Sequence, residues 1–418
     1  MAIDFNVNQT IFNTNKPVNN LITQHRFFSF KAQPQDTFEK QIKVTNDKIS
    51  PLYDGIKIEQ KSFGKLKTGE ETTLYTITNK NGASVELSTF GATIVSIKVP
   101  DKNKKLIDVT QGYSNVTPYE QAPVGHAGGT IGPCANKING GKFTINNEEY
   151  PLECNKDNGK THCHGGSEGF DVKNWHAEIV KDGIKFTYNK KDGESGYPGN
   201  VKTSVTYKFN NDNELQIKYE ATTDKDTVIN LTNHSYFNLD GAEHTQENSI
   251  LEHEIKLPNS SKFTPINELA IPTGELASTK GTPFDLKNDE ESIKDILEAG
   301  TNFKQMQLAS GIDHNFCIDG YDGKKLIKIA EVTSDKTGIK LEVSTNLPGF
   351  QFYTANHLGK KAQPAGKDGT RYEKRSSLCI EPQFFPDAIN TFDEKPILKP
   401  NEKYNREIIY KFSTEKDD

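Results

Sequence analysis

The 418-residue chain contains no apolar run near the roughly 20 residues that a membrane-spanning helix needs. It has no basic stripe either. Its 51 basic and 57 acidic side chains are mixed along the whole length for a net charge of −6, which argues against nucleic acid and anionic membrane as partners. The cysteines, Cys134, Cys154, Cys163, Cys317 and Cys379, are odd in number and form no C-x-x-C pair, so they read as reduced thiols. The N-terminus, Met1-Ala2-Ile3-Asp4-Phe5-Asn6, has neither the basic nor the apolar region of a secretory signal. These absences together predict a cytoplasmic protein. Sequons such as Asn233-His234-Ser235 are then accidents of an Asn-rich chain.

Short alternating segments are abundant. Thr73–Thr78, Ser84–Ser88, Ala92–Val99, Lys142–Ile145, Ile184–Tyr188, Ser204–Phe209, Leu215–Tyr219, Ile339–Val343 and Glu407–Phe412 are β-rich and closed by Gly, Asn, Asp or Pro clusters. One helix is expected, with Asp289-Glu290-Glu291 placing negative charge at its start and Ile293, Ile296 and Leu297 forming a stripe before Gly300. So many strands without alternating helices predict an all-β fold, a large antiparallel β-sandwich with a few short helices. Residues 63–412 show no composition break and read as one domain, with a tail at 413–418. Residues 1–62, including the cluster Phe27-Phe28-Ser29-Phe30, read as an N-terminal extension, partly disordered or packed along the main body, whose role the sequence does not give.

Five stretches concentrate chemistry. In Asn230-Leu231-Thr232-Asn233-His234-Ser235-Tyr236-Phe237-Asn238, neutral hydrogen-bonding groups and aromatic faces surround one His, a mixture suited to a neutral polyol; a satisfied core His is the competing reading. His162-Cys163-His164-Gly165-Gly166 spaces two histidines so that a strand would put both on one face. That raises a metal site, but no third ligand stands at a recognisable spacing, and a His tucked against the Gly-Gly turn competes. Gly128-Gly129-Thr130-Ile131-Gly132-Pro133-Cys134-Ala135-Asn136-Lys137 matches no phosphate-loop pattern, though Asn136 and Lys137 could serve at the lip of a pocket. In Gly311-Ile312-Asp313-His314-Asn315-Phe316, neighbouring Asp313 and His314 would face opposite sides of a strand. Glu381 is a lone carboxylate among Leu378, Cys379, Ile380 and Phe384. Burial would raise its pKa toward that of a general base, and a structural ion pair is the alternative.

In their fixed order these stretches, with Ile271-Pro272-Thr273-Gly274-Glu275 and Gly281-Thr282-Pro283-Phe284-Asp285 between them, resemble the aldose 1-epimerase (galactose mutarotase) family over residues 63–412. The resemblance implies the family's large β-sandwich, no cofactor, no metal and a free monosaccharide such as galactose or glucose as substrate. It implies Glu381 as the general base at the C1 hydroxyl, His234 as the acid at the ring oxygen and His164 as its helper. Asp313, Gln351, Asn136 and Lys137 would bind the sugar. One carboxylate partnered by a His fits ring opening rather than glycoside hydrolysis, which normally needs two carboxylates. The family usually reads Gly-Arg-x-x-Asn-Arg where this chain has Gly132-Pro133-Cys134-Ala135-Asn136-Lys137, so both arginines are missing. The resemblance also leaves open a non-catalytic sugar binder and a hexose 6-phosphate epimerase. Trp175 and Phe237 are candidates for an aromatic face against the sugar or for the core, and the oligomeric state is left at monomer or homodimer.

Overall fold

The structure, a computed structural model, describes residues 55–121, 125–359 and 363–414. Residues 1–54, with the Phe27–Phe30 cluster, lie outside the described residues. Three sheets carry the architecture, and every pairing within them is antiparallel. The largest has nine strands in the order His176–Val180, Gly183–Lys190, Val201–Phe209, Glu214–Thr223, Tyr404–Thr414, Ile339–Thr345, Ile327–Thr333, Glu254–Lys256 and Glu291–Ser292. A five-stranded sheet runs Lys57–Lys65, Glu71–Thr78, Ser84–Ser88, Thr93–Pro100 and Leu106–Asp108. A second runs Ala277–Ser278, Lys262–Phe263, Asp313–Cys317, Gly349–Tyr353 and Cys379–Gln383.

The large sheet is amphipathic with period two. Glu214–Thr223 buries Leu215, Ile217, Tyr219 and Ala221 and turns Gln216, Lys218 and Glu220 toward water. One hydrophobic core then joins all three sheets: Ile77, Leu87 and Ile97 from the first small sheet, Phe186, Tyr207 and Tyr410 from the large one, and Phe316, Phe352 and Ile380 from the second small one. Each such side chain contributes about 1.5–3 kcal/mol on burial, so the two small sheets are held by the shared core rather than by edge pairing. The Tyr75 and Phe186 rings meet edge to face at 6.3 Å across the first of these interfaces. The arrangement is the expected antiparallel β-sandwich.

The boundaries differ from the sequence reading in three places. The sheet begins at Lys57, so residues 57–62, assigned to the N-terminal extension on sequence, form a strand that buries Ile58 and pairs with Glu71–Thr78. A bulge between Ser62 and Gly64 and the exposed Lys57, Glu59 and Lys61 hide its alternation. At the other end the last strand reaches Thr414, two residues into the expected tail. The expected helix forms at Ile293–Ala299, but its cap is Ser292, whose Oγ accepts the Asp295 N–H, while Glu291 belongs to a strand. Among the described residues three further short α-helices occur, Val116–Gln121, Lys304–Ala309 and Ala388–Thr391.

Candidate active site

The second five-stranded sheet has a core face and a site face. Asn315, Gln351 and Glu381 are register partners across its last three strands, as are Asp313, Tyr353 and Cys379. Alternation sends these side chains, with Gln383, to one face, and sends His314, Phe316, Phe350, Phe352 and Ile380 to the other. The last two strands, Gly349–Tyr353 and Cys379–Gln383, are buried at every position, because the core covers one face and the site's own walls cover the other. His314 illustrates the core face: its ring packs on Phe263 and Phe284, and its Nε2 has no hydrogen-bond partner among the described residues. The Asp313/His314 expectation holds, with Asp313 on the site face.

A tight turn brings His234 over this face. Thr232–Asn233 pairs with Thr130–Ile131, and Tyr236–Phe237 pairs with Thr110–Gln111. Between them the His234 N–H donates to Gly129 O at 3.1 Å, and the Gly128 N–H donates to His234 O at 2.8 Å. Asn233 and Ser235, expected to offer hydrogen bonds to a polyol, hold the turn instead. Asn233 Nδ2 donates to Gly128 O at 2.8 Å, and the Ser235 hydroxyl donates to Asn233 Oδ1 at 2.7 Å. The Phe237 and Leu378 backbones bond reciprocally at 2.7 and 2.8 Å, which fixes this turn beside the Glu381 strand.

His234 Nε2 thereby lies 3.6 Å from Glu381 Oε2, with both residues almost fully buried at 5% and 2% exposure. Burial, and then the charge of Asp313, pushes the Glu381 carboxyl well above the usual range. Burial first, and then the neighbouring His126, pushes the His234 imidazole down to about 3. In the free site the pair therefore rests as a neutral acid beside a neutral base, sharing one proton. Cys379 Sγ stands 3.6 Å from His234 Nδ1, and burial keeps this thiol protonated.

His164 completes the group. It follows the strand Thr161–Cys163 in a left-handed conformation, φ 54°, so it does not share a face with His162. The H-x-H pair is thus not a chelate: His162 is buried, with Nδ1 2.7 Å from Glu153 O and Nε2 2.8 Å from the Tyr197 hydroxyl. His164 and Asn136 are tied twice. The His164 N–H donates to Asn136 O, and the Asn136 N–H donates to His164 Nδ1 at 3.2 Å. That second bond puts the proton of the neutral ring on Nε2, and burial, aided by His126 and His234, holds the ring neutral.

Of the expected sugar-binding residues, Asp313 accepts from Gln351 Nε2 at 2.7 Å, and burial raises its carboxyl above the usual range. Lys137 is present but occupied: its ammonium is 2.9 Å from Asp157 and 2.6 Å from Leu269 O. Trp175 and Phe237 belong to the core, Trp175 against Phe170 and Tyr188, Phe237 against Tyr410. The aromatic beside the pair is Tyr236, stacked on His234 at 5.0 Å.

The sequence reading missed four members of this face. Asn315 and Gln383 are buried with no hydrogen-bond partner on either side-chain polar atom among the described residues, and Gln351 Oε1 and Glu381 Oε2 are likewise without one. Counting in twos from Asp313 and Glu381 would have found Asn315, Cys379 and Gln383. His126, whose ring lies 4.7 Å from His164 and 6.0 Å from His234, carried no sequence signal beyond its place before Gly128-Gly129. The ligand atoms of His164, His234 and Glu381 lie within 4.8 Å of one another, a set that could hold a divalent cation. A cation there would occupy the same atoms that form the acid–base pair. A separate concavity of about 350 Å³, lined by Leu251, Lys294, Leu297, Met306 and Arg375, brings no carboxylate and imidazole together.

A β-sandwich that buries one carboxylate beside one imidazole on a face of polar side chains carries an acid–base class of site. The aldose 1-epimerase family model matches residues 73–411. Galactose mutarotase of Bos taurus is 37% identical over 359 residues, covering 86% of this chain and 99% of that protein. Aldose 1-epimerase of Haemophilus influenzae is 34% identical, covering 80% and 92%. Among solved structures, galactose 1-epimerase from Lactobacillus acidophilus superposes with a TM-score of 0.72 at 25% identity, covering 86% of this chain and 99% of that one. An aldose epimerase homologue from C. elegans gives 0.71 at 29%, covering 82% and 98%. The chain belongs to the aldose 1-epimerase family, and so to the isomerases.

Proposed function

We propose that this protein interconverts the α and β anomers of free aldohexoses by opening and reclosing the pyranose ring. The observation that carries this reading is the buried Glu381–His234 pair, 3.6 Å apart, facing a row of polar atoms that have no partner among the described residues. Buried polar atoms normally find partners, and an aldohexopyranose offers hydroxyls at every carbon but C5 to supply them. The shared proton first passes from Glu381 to His234; Glu381 then accepts the C1 hydroxyl proton while His234 donates its proton to the ring oxygen O5. The C1–O5 bond breaks, and an open-chain aldehyde forms. Rotation about C1–C2 presents the other face, and the same protons return as the ring closes. Ring opening converts carboxylate and imidazolium into carboxylic acid and imidazole, the state that burial favours.

The Nε2–H of His164 stabilises charge developing at O5, and Asp313 and Gln351 orient hydroxyls, with Asn136 and Lys137 at the rim. The substrate is a neutral monosaccharide, and Lys137 is already paired to Asp157. All five cysteines are free thiols, which supports action in the cytoplasm; no helix among the described residues is long and apolar enough to cross a membrane. Polarimetry of freshly dissolved α-D-galactose or α-D-glucose tests the proposal. Faster approach to the equilibrium rotation with added protein is expected, and a rate equal to that of buffer alone would refute it.

A further inference from the structure

The Asp171–His126 pair has no part in the scheme above, yet it borders the same recess. Asp171 sits in the single turn Phe170–Val172, with its side chain 5% exposed. One of its carboxylate oxygens is 2.7 Å from His126 Nδ1, and the other has no partner among the described residues. A buried carboxylate can only accept, so His126 carries its proton on Nδ1 and points Nε2 away from Asp171. That second nitrogen has no hydrogen-bond partner among the described residues. The ring stands 4.7 Å from His164 and 6.0 Å from His234, and lies outside the set that His164, His234 and Glu381 form within 4.8 Å. His126 therefore neighbours the two histidines and stands outside the cluster they form with Glu381.

We infer that His126, oriented by Asp171, is a specificity-determining residue that binds the C6 hydroxyl of an aldohexose through Nε2. The inference rests on the reading above, in which O1 lies at Glu381 and O5 at His234. Beyond O5 the next ring atom is C5, and its substituent is the C6 hydroxymethyl group. With its proton on Nδ1, His126 offers Nε2 as an acceptor, and the C6 hydroxyl donates to it. Asp171 is thus a positioning residue and His126 the contact.

The test compares α-D-galactose with its 6-deoxy counterpart by polarimetry, separating kcat from KM. The protein should prefer the 6-hydroxy sugar about tenfold in kcat/KM, carried mainly by KM, as for one hydrogen bond to an oriented acceptor. In His126→Asn the amide nitrogen can replace Nδ1 as the donor to Asp171, so folding is retained while Nε2 is lost, and the preference should collapse to about onefold. Asp171→Asn should weaken the preference in the same direction, which guards against a failure of the first variant to fold. A preference near one in the unaltered protein, or an unchanged preference in both variants, would overturn the assignment. So would an equal loss toward both sugars, as a merely structural role would give, or a faster reaction with a hexose 6-phosphate than with the free hexose. No acceleration of any aldose would instead remove the epimerase reading and the assignment with it.

Discussion

Glu381 and His234 are each unusual for the same reason: burial opposes charge on both, so the pair keeps one proton between them. Removing either partner removes one end of the proton path. Glu381→Gln and His234→Asn should each lower kcat by about 10²–10⁴-fold while the melting temperature stays close to that of the unaltered protein. A near-normal rate in either would refute the assigned role. The single shared proton also sets a pH dependence. Below about 3 His234 gains a proton while Glu381 still holds its own, and no base is left. On the alkaline side the pair loses its only proton, at a pH well above the ordinary carboxyl range. The acid limb of the rate should therefore lie far below the value of about 6.5 of a free imidazole, and its alkaline limb above the ordinary carboxyl range. An acid limb centred near 6.5 in kcat/KM would contradict a buried, neutral His234.

At the scale of elements, the loop Gly128–Gly129 and the His234 turn form one unit. Gly128 has φ 68°, and a Cβ there would run into the Ile94 carbonyl, while its N–H and C=O bond His234 O and Asn233 Nδ2. Gly128→Ala adds left-handed strain and an overlap with backbone that cannot retreat, at a cost of about 2–4 kcal/mol. Urea unfolding should show the loss as a lower midpoint, and residual activity should fall because the turn carrying His234 is displaced. A midpoint equal to that of the parent would show that the loop yields. This unit was only half visible in the sequence. The alternation of Glu214–Thr223 and Ile339–Thr345 reads directly as one face in and one face out. By contrast Asn233 and Ser235 look like ligands for a polyol, and only the folded turn shows them bonded to each other and to Gly128. Residue type reports capacity for hydrogen bonding, and the partner is fixed by contacts more than a hundred positions away. His126 and Asp171, 45 residues apart, were illegible for the same reason.

The whole molecule carries several buried histidines held neutral. Burial lowers His234 and His314 to about 3 and His253 to about 4, and lowers His162 and His164 as well. A group whose pKa is lowered by folding contributes stability above its unfolded value, near 6.5, and loses it as pH falls toward the folded value. Each such histidine therefore lowers the unfolding free energy by up to about 1.4 kcal/mol per pH unit in that window. Glu381 and Asp313 are raised by burial and act in the opposite sense above about pH 4.3, but they are fewer. Stability should accordingly drop between pH 6.5 and 4, before the surface carboxylates are protonated. Melting temperatures across that range test this, and His314→Phe, on the core face, should flatten the slope by one proton's worth. A stability constant down to pH 4.5 would mean that these imidazoles open to water without unfolding.

The strand Cys379–Gln383 faces the core with Ile380 and the site with Glu381. Inserting or deleting one residue there would exchange those two faces at a stroke, with no intermediate arrangement. Descendants of this chain can therefore change its sugar preference by point substitution along the strand, but not by altering its length. Changes of length are left to the rim, in the turns that carry His126 and His164, where a longer or shorter loop moves a contact without moving the base.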